Sequence, residues 1–137
     1  MIQVTAAIIQ KNGKLLLCQR LKGKRCELLW EFPGGKINPG ETPEKCIVRE
    51  CYEELNIIIE AERLVREVDY AYSDIAVNIQ FYFCKLIDGE PVCIEHNDIK
   101  WLTLDNISRL PLCPADYKML SLASEDIRRY LVQATSN

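Results

Sequence analysis

One segment near the middle of the chain carries both a helix start and a helix stop, and β-rich runs flank it on both sides. Thr42 is a good N-cap and Pro43 suits the first helical position, so we expect a helix to begin there. It is expected to run to about Leu55 and to end near Asn56, which tolerates the left-handed conformation. A helix enclosed by strands in one short chain predicts an α/β or α+β fold.

The remaining elements follow from turn signals and hydrophobic periodicity. Asn12-Gly13 predicts a tight hairpin, Asp88-Gly89 predicts a further turn, and the segment from 35 to 41 is expected to be irregular. A second helix is predicted from Ala115 to about Val132, with its apolar residues on one stripe. Strands are predicted at 4–9, 15–20, 30–32, 57–59, 64–72, 76–86 and 100–102.

Length and composition narrow the class of protein. A chain of 137 residues holds one domain with a core and is too short for two ordinary ones. A hydrophobic content of 48% with 27% charged residues is typical of a globular protein. No apolar run approaches the roughly 20 residues of a membrane span, and the N-terminus lacks the pattern of a secretory signal. We therefore expect one cytoplasmic domain over residues 1–137.

Charge and cysteine content limit the kinds of molecule and metal ion that the chain is expected to bind. A net charge of −3 gives no basic surface for nucleic acid, so we expect a small-molecule partner, with a metal ion to offset the charge of any phosphate. The chain has seven cysteines and no CxxC pair, and we expect buried, reduced thiols at positions 18, 46, 51 and 84. With His96 as its one histidine, the chain is not expected to bind zinc.

The predicted helix has two distinct faces. Its core face is expected to carry Ile47, Val48, Cys51, Tyr52 and Leu55. A second arc carries Glu50, Glu53 and Glu54, with Arg49 at its edge, and three such carboxylates repel one another. A solvated acidic surface is the ordinary interpretation. The adjacent arginine and the preceding glycine-containing loop favour the alternative, a site for Mg²⁺ or Mn²⁺.

Residues 35–57 resemble the Nudix box, Gly-x5-Glu-x7-Arg-Glu-U-x-Glu-Glu-x-Gly-U, in which U is a bulky aliphatic residue. Cys51 stands where an aliphatic residue is usual, and Asn56 replaces a glycine, but neither change removes a proposed ligand. The segments 15–20, 30–36, 89–91 and 114–116 are similar to the MutT branch of the family. The matching box positions are Gly35, Glu41, Arg49, Glu50, Glu53, Glu54 and Ile57.

The resemblance implies the Nudix fold, a mixed β-sheet sandwiched between α-helices, and a hydrolase that cleaves nucleoside triphosphates to the monophosphate and pyrophosphate with Mg²⁺ or Mn²⁺. Such an enzyme would sanitise the nucleotide pool as a monomer or homodimer. Glu50, oriented by Arg49, is the implied general base, and Glu95 is the alternative, with the acid Asp98 close to it. The implied metal ligands are Glu50, Glu53, Glu54, Glu95 and the backbone carbonyl of Gly35.

The same resemblance implies roles around the cleavage site. Lys36 would assist departure of the leaving group. Arg20, Phe32 and Asp116 would bind substrate, while Glu41 is expected to make a structural ion pair. His96 is expected to be an exposed loop residue without a role.

The preferred base depends on the protonation state of Asp116. An ionised Asp116 only accepts hydrogen bonds, which suits the amine of cytosine, whereas a buried and protonated Asp116 suits guanine. The substrate is therefore 8-oxo-dGTP, or CTP or a modified dCTP. Two other functions stay open: hydrolysis of another nucleoside diphosphate-X compound, and a non-catalytic Nudix-like binding domain. The complete set of helix acids disfavours the last.

Overall fold

A computed structural model of the chain describes residues 1–135. The elements, in chain order, are β1 (Ile2–Lys11), β2 (Lys14–Gln19), β3 (Trp30–Glu31), β4 (Gly34–Lys36), α1 (Pro43–Leu55), β5 (Ile58–Ala71), β6 (Ala76–Asp88), β7 (Asp98–Leu102), α2 (Leu104–Ile107) and α3 (Pro114–Thr135). None of the helices within the described residues is both long and apolar enough to span a membrane.

All seven strands belong to one mixed sheet. Its main order is β3-β2-β1-β6-β5, while β4 pairs with β1 and β7 pairs with β2. β1 and β6 are parallel, and the other pairs are antiparallel. Asn12 and Gly13 both have positive φ, so the predicted hairpin between β1 and β2 is confirmed.

The sheet has a hydrophobic cluster on each face, because alternate residues of a strand point to opposite sides. Ala6 and Ile8 of β1 pack on the face covered by α3, whereas Ala7 and Ile9 pack on the face covered by α1. Leu120, Ala123 and Ile127 supply the predicted stripe of α3, and Ile47, Cys51 and Leu55 supply that of α1. The predicted sandwich of a mixed sheet between helices is confirmed.

The predicted ends of α1 are confirmed. Thr42 Oγ1 accepts a hydrogen bond from the Lys45 N–H at 3.2 Å, which is an N-cap contact, and Pro43 is the first helical residue. Asn56 adopts φ 55° and donates its N–H to the Tyr52 carbonyl at 2.9 Å. Asparagine thus performs the turn for which glycine is usual.

The prediction of the core face of α1 is wrong at two residues. Val48 and Tyr52 are exposed, at 36% and 57%, since the helix contacts the sheet along a narrower stripe than the periodicity allows. Cys46 is buried there as well. The predicted burial of the four cysteine side chains is confirmed, and they carry free thiols.

The structure also adds regular elements. The expected irregular segment begins with strand β4, in which Gly35 pairs with Thr5 of β1. A Cβ on Gly34 would overlap the Thr5 backbone, so glycine is what permits this close pairing. β5 is one long strand with bulges rather than two runs. The short helix α2, capped by Thr103, was not predicted.

Candidate active site

A cleft of about 340 Å³ opens beside the N-terminal half of β1, between the β2–β3 loop and β4. Its walls come from distant parts of the chain, and a volume of this size suits a small-molecule ligand. The predicted site residues that line it are Arg20, Phe32, Gly35, Lys36, Glu54, Glu95 and Asp116. Arg49, Glu50 and Glu53 lie on α1 and do not line the cleft.

Arg49 is the centre of an ion-pair network at the acidic end of the cleft. Its Nε and Nη2 donate to the two oxygens of Glu41 at 2.7 and 2.9 Å. Its Nη1 donates to Glu50 Oε1 at 2.8 Å and lies 3.4 Å from the carboxylate of Glu53. Hydrogen bonds from Arg49 and from the Asn38 N–H lower the pKa of Glu41 to about 2. Glu41 therefore makes the structural ion pair predicted for it.

Glu50 is held between Arg49 and the backbone of β4. Its carboxyl group packs so closely on Gly35 that a Cβ there would overlap it. Burial raises the pKa of Glu50, and the hydrogen bond from Arg49 opposes this shift. One oxygen, Oε1, is engaged by the guanidinium, so the carboxylate has a fixed orientation.

Glu54 is the more perturbed carboxylate. Burial raises its pKa to about 9, and the charges of Glu50, Glu31 and Glu95 add to the shift. Its Oε1 atom is buried and has no hydrogen-bond partner within residues 1–135. Four acids that repel one another and an unpaired buried oxygen lack a counter-charge, which a bound cation would supply.

The acids do not form a ready-made coordination sphere. Within the described part of the chain, no group of three or more histidine, cysteine, aspartate or glutamate side chains is arranged to hold a metal ion. Glu53 is half exposed, and Glu50 is turned toward Arg49. The donors available are nonetheless carboxylate and carbonyl oxygens, which suit Mg²⁺ and Mn²⁺ in their chemistry.

A segment covering residues 92–97, here called the strap, carries Glu95 to the cleft. The Val92 N–H donates to the Leu55 carbonyl at 2.9 Å, and the Asn97 N–H donates to the Gln19 carbonyl at 2.9 Å. The strap is therefore tied to α1 at one end and to β2 at the other. Asp98 differs from Glu95, since its Oδ1 accepts the Ile99 N–H at 2.8 Å within its own strand.

The prediction that His96 is an exposed loop residue is wrong. Its side chain is only 7% exposed, it lines the cleft, and its Nε2 lies 3.2 Å from Glu31 Oε2. Its Nδ1 is buried without a hydrogen-bond partner among residues 1–135. Glu31 is 65 positions away from His96 in the sequence, so no local sequence pattern predicts this contact.

Arg20 is paired rather than free. Its Nη1 donates to both oxygens of Glu31, at 3.2 and 3.3 Å. Burial of the guanidinium acts to lower its pKa, but the charge and hydrogen bonds of Glu31 outweigh this, and the pKa of Arg20 is raised. Arg20 is in the site, as predicted from the sequence, but Glu31 was not predicted, although it stands beside Phe32 in the segment that resembles the MutT branch.

Asp116 and Phe32 form the other end of the cleft. The Phe32 N–H donates to Asp116 Oδ2 at 3.0 Å, and the Phe32 ring packs edge-on to Phe81 in the core. Asp116 is only 5% exposed, and burial, with the charge of Glu31, raises its pKa well above the usual range. The hydrogen bond from Phe32 opposes the shift. Burial thus favours the protonated form of Asp116.

Comparisons with known proteins show the family to which the chain belongs. A family model described as the NUDIX domain matches residues 4–122. The chain is 34% identical over 120 residues to the CTP pyrophosphohydrolase of Escherichia coli, covering 88% of this chain and 89% of that protein. It is 33% identical over 120 residues to the 8-oxo-dGTP diphosphatase of Haemophilus influenzae, covering 87% and 88%. The solution structure of the E. coli ORF135 protein superimposes with a TM-score of 0.80 at 34% identity, covering 93% of this chain and 91% of that one.

Proposed function

Because the chain belongs to the NUDIX domain family and is a nucleotide pyrophosphohydrolase of the MutT-like type, we propose that it cleaves nucleoside triphosphates to the monophosphate and pyrophosphate with Mg²⁺. The observation that supports this proposal is that one cleft joins an acidic end, with the buried unpaired oxygen of Glu54, to an end formed by Phe32 and the buried Asp116, which we propose binds the base. We further propose that the enzyme removes damaged nucleotides from the pool.

The proposed metal ligands are the Gly35 carbonyl and the carboxylates of Glu50, Glu53, Glu54 and Glu95. When bound, Mg²⁺ or Mn²⁺ would neutralise the negative charge of the substrate phosphates. Two features make these residues suitable for a divalent cation: the unpaired Oε1 of Glu54 and the mutual repulsion of the acids. Gly35 supports it as well, because the missing side chain leaves space that the carboxyl group of Glu50 occupies.

Glu50 is the proposed general base. Arg49 engages Oε1 at 2.8 Å, which leaves Oε2 to accept a proton from the attacking water. Glu41 holds Arg49 through two hydrogen bonds and so acts on Glu50 indirectly. Glu95, carried to the cleft by the strap, is the alternative base. Lys36 lines the same end with an exposed ammonium group, which suits stabilisation of the departing phosphate oxygen.

The proposed substrate is an oxidised guanine nucleotide, 8-oxo-dGTP. Asp116 accepts the Phe32 N–H through Oδ2, and its raised pKa favours a proton on the carboxyl group. A protonated carboxyl group both donates and accepts, as recognition of a guanine edge requires. CTP or a modified dCTP is the second candidate, and the 34% identity to the CTP pyrophosphohydrolase favours it.

The test is a panel of canonical, oxidised and methylated nucleoside triphosphates with Mg²⁺, read out as pyrophosphate and monophosphate. We expect 8-oxo-dGTP to give the highest kcat/KM. Preference for CTP or a dCTP derivative would transfer the proposal to the second candidate and require ionised Asp116. Turnover only of other nucleoside diphosphate compounds would overturn the triphosphate proposal. The role of Glu50 is tested with Glu50→Gln in the same assay. Glu44→Gln is the matched control, since Glu44 lies on the same helix and accepts a hydrogen bond from the Tyr82 hydroxyl.

A further inference from the structure

Three side chains occupy the middle of the cleft, between its acidic end and its base-binding end. Arg20 follows β2, Glu31 ends β3, and His96 belongs to the strap. Glu31 lies near enough to both Glu54 and Asp116 for its charge to act on each of them. The middle of the cleft is therefore built around the carboxylate of Glu31.

The Glu31 carboxylate is fixed in position and still has capacity to accept a hydrogen bond. Arg20 Nη1 contacts Oε1 and Oε2 at 3.2 and 3.3 Å, and His96 Nε2 contacts Oε2 at 3.2 Å. A carboxylate has about four acceptor sites, two on each oxygen. Oε1 thus has one acceptor site beyond its contact with Arg20, and the side chain is 20% exposed where it lines the cleft.

His96 has a specific relation to Glu31. Because Glu31 is a carboxylate and can only accept, the tautomer that fits this contact has its hydrogen on Nε2, and in that tautomer Nδ1 is an acceptor. Nδ1 is buried and unpaired within the described residues, so the contact of Nε2 with Glu31 is the polar contact that holds the ring there. What the ring does in this position is fix one oxygen of Glu31. The strap holds it there through the bonds at residues 92 and 97.

We propose that Glu31 accepts a hydrogen bond from a sugar hydroxyl of the nucleotide, and that His96 and Arg20 are positioning residues that aim its carboxylate. The inference rests on the proposed function. If the phosphates lie toward Lys36 and Glu54 and the base toward Asp116, the sugar lies beside Glu31. A carboxylate acceptor recognises a hydroxyl donor directly.

The test measures binding of product nucleotides by calorimetry, with Mg²⁺ present. The probes are dGMP and its 2′,3′-dideoxy counterpart, the same pair for cytidine, and the two ribonucleoside monophosphates. Since a hydrogen bond to a charged group contributes about 1.5–3 kcal/mol, loss of the recognised hydroxyl should weaken binding to the wild type about tenfold or more.

The variants separate recognition from folding. Glu31→Leu should reduce the ratio between hydroxyl and deoxy probes to about one. His96→Leu should lower that ratio, and His96→Gln, whose amide can replace the Nε2 donor, should restore most of it. Glu90→Gln, an exposed acid that pairs with Lys11 on the surface, is the control and should leave the ratio unchanged. If Glu31→Leu does not fold, the two His96 variants decide the question.

Hydrolysis provides the second readout. With triphosphates, His96→Leu should raise KM for the hydroxyl substrate and leave kcat close to the wild-type value, because the contact exists in the ground state as well. A general loss of structure would lower kcat and melting temperature together, and glutamine would not rescue it.

Several results would overturn the proposal. One is a wild type that does not distinguish the hydroxyl probes from their deoxy counterparts, or that binds none of them. Another is a ratio unchanged by both His96→Leu and Glu31→Leu. A further probe is inosine monophosphate, which lacks the base amine of guanosine monophosphate. If Glu31→Leu weakens the binding of guanosine monophosphate but not that of inosine monophosphate, Glu31 contacts the base amine and the sugar assignment is wrong. Because binding is measured with products, a failure to cleave triphosphates is recorded separately and concerns only the proposed function.

Discussion

The two ends of the cleft differ in how the chain builds them. The acidic end comes mostly from one continuous stretch, residues 35–57, in which a strand, a turn and a helix follow directly. The proposed base-binding end and the middle combine the β2–β3 loop, β3, the strap and the first turn of α3. A contiguous site has its geometry set by helical spacing, whereas a dispersed site depends on how the sheet brings remote segments together.

The electrostatics differ in the same way. At the acidic end, Arg49 neutralises neighbours that lie one, four and eight positions away. At the other end, Asp116 is buried and makes no ion pair within the described residues, and its Oδ2 accepts the Phe32 N–H. The first end is stabilised as an ion-pair network, and the second favours a neutral carboxyl group.

The largest expected effect is at the acidic end. Glu50→Gln removes the proposed base and should lower kcat about a thousandfold, while KM and the melting temperature change little. Steady-state kinetics with Mg²⁺ measure this, beside Glu44→Gln. Full activity of the glutamine variant would show that the acidic end does not contain the base at Glu50.

Substitutions at two adjacent glycines of β4 should separate an effect on catalysis from an effect on stability. A Cβ on Gly35 would meet the flexible Glu50 side chain, so Gly35→Ala should move that carboxylate and lower kcat about a hundredfold, with stability retained. A Cβ on Gly34 would meet the rigid Thr5 backbone, so Gly34→Ala should destabilise the fold by at least about 1–3 kcal/mol. Urea denaturation and kinetics on both variants separate the effects. Equal effects on stability would contradict the distinction.

At the proposed base-binding end, Asp116→Asn should change both selectivity and the pH dependence of stability. The folded-state pKa of Asp116 is raised above the unfolded value of about 3.9. The folded protein therefore binds a proton more tightly than the unfolded chain, and stability falls as pH rises from that value. Asparagine has no such titration, so the melting temperature of the variant should increase relative to that of the wild type as pH rises from 4.

The same variant tests base recognition. The preference of the wild type for guanine over cytosine should decrease about tenfold as Asp116 ionises, because an ionised carboxylate no longer donates. The preference of Asp116→Asn should stay flat with pH. Kinetics on both nucleotides from pH 5 to 9 measure this, and a pH-dependent preference in the asparagine variant would contradict it.

The smallest expected effect is at Glu41. Glu41→Gln keeps one oxygen for Arg49 and loses the charge, so kcat should fall less than about tenfold. The pKa of Glu41 is lowered to about 2, so its ion pair stabilises the fold above the unfolded pKa, and this contribution is lost as pH falls through about 2. Acid melts should therefore show wild type and variant converging toward pH 2. A gap that widens on acidification would contradict this.

What the sequence predicted follows the same division. The bounds of α1, its left-handed Asn56 and the grouping of acids on one arc all depend on local spacing, and the structure has them as predicted. Val48 and Tyr52 were misplaced because periodicity gives the direction of a face and not its width. His96 was misplaced because its burial depends on Glu31, on another strand. Strand β4 was missed because glycine at its pairing positions is also typical of loops.

The parallel pairing of β1 with β6 has a consequence for biosynthesis. Nine residue pairs join Ile2–Gln10 to Val77–Lys85, and antiparallel hairpins cannot substitute for them. β1 leaves the ribosome well before β6, so it cannot pair with this neighbour until strands β2 to β5 and helix α1 have been made, and closing so long a loop slows folding. Ribosome-bound chains that end before Ala76 should stay sensitive to protease, and protection should arise only after β6 has emerged from the exit tunnel.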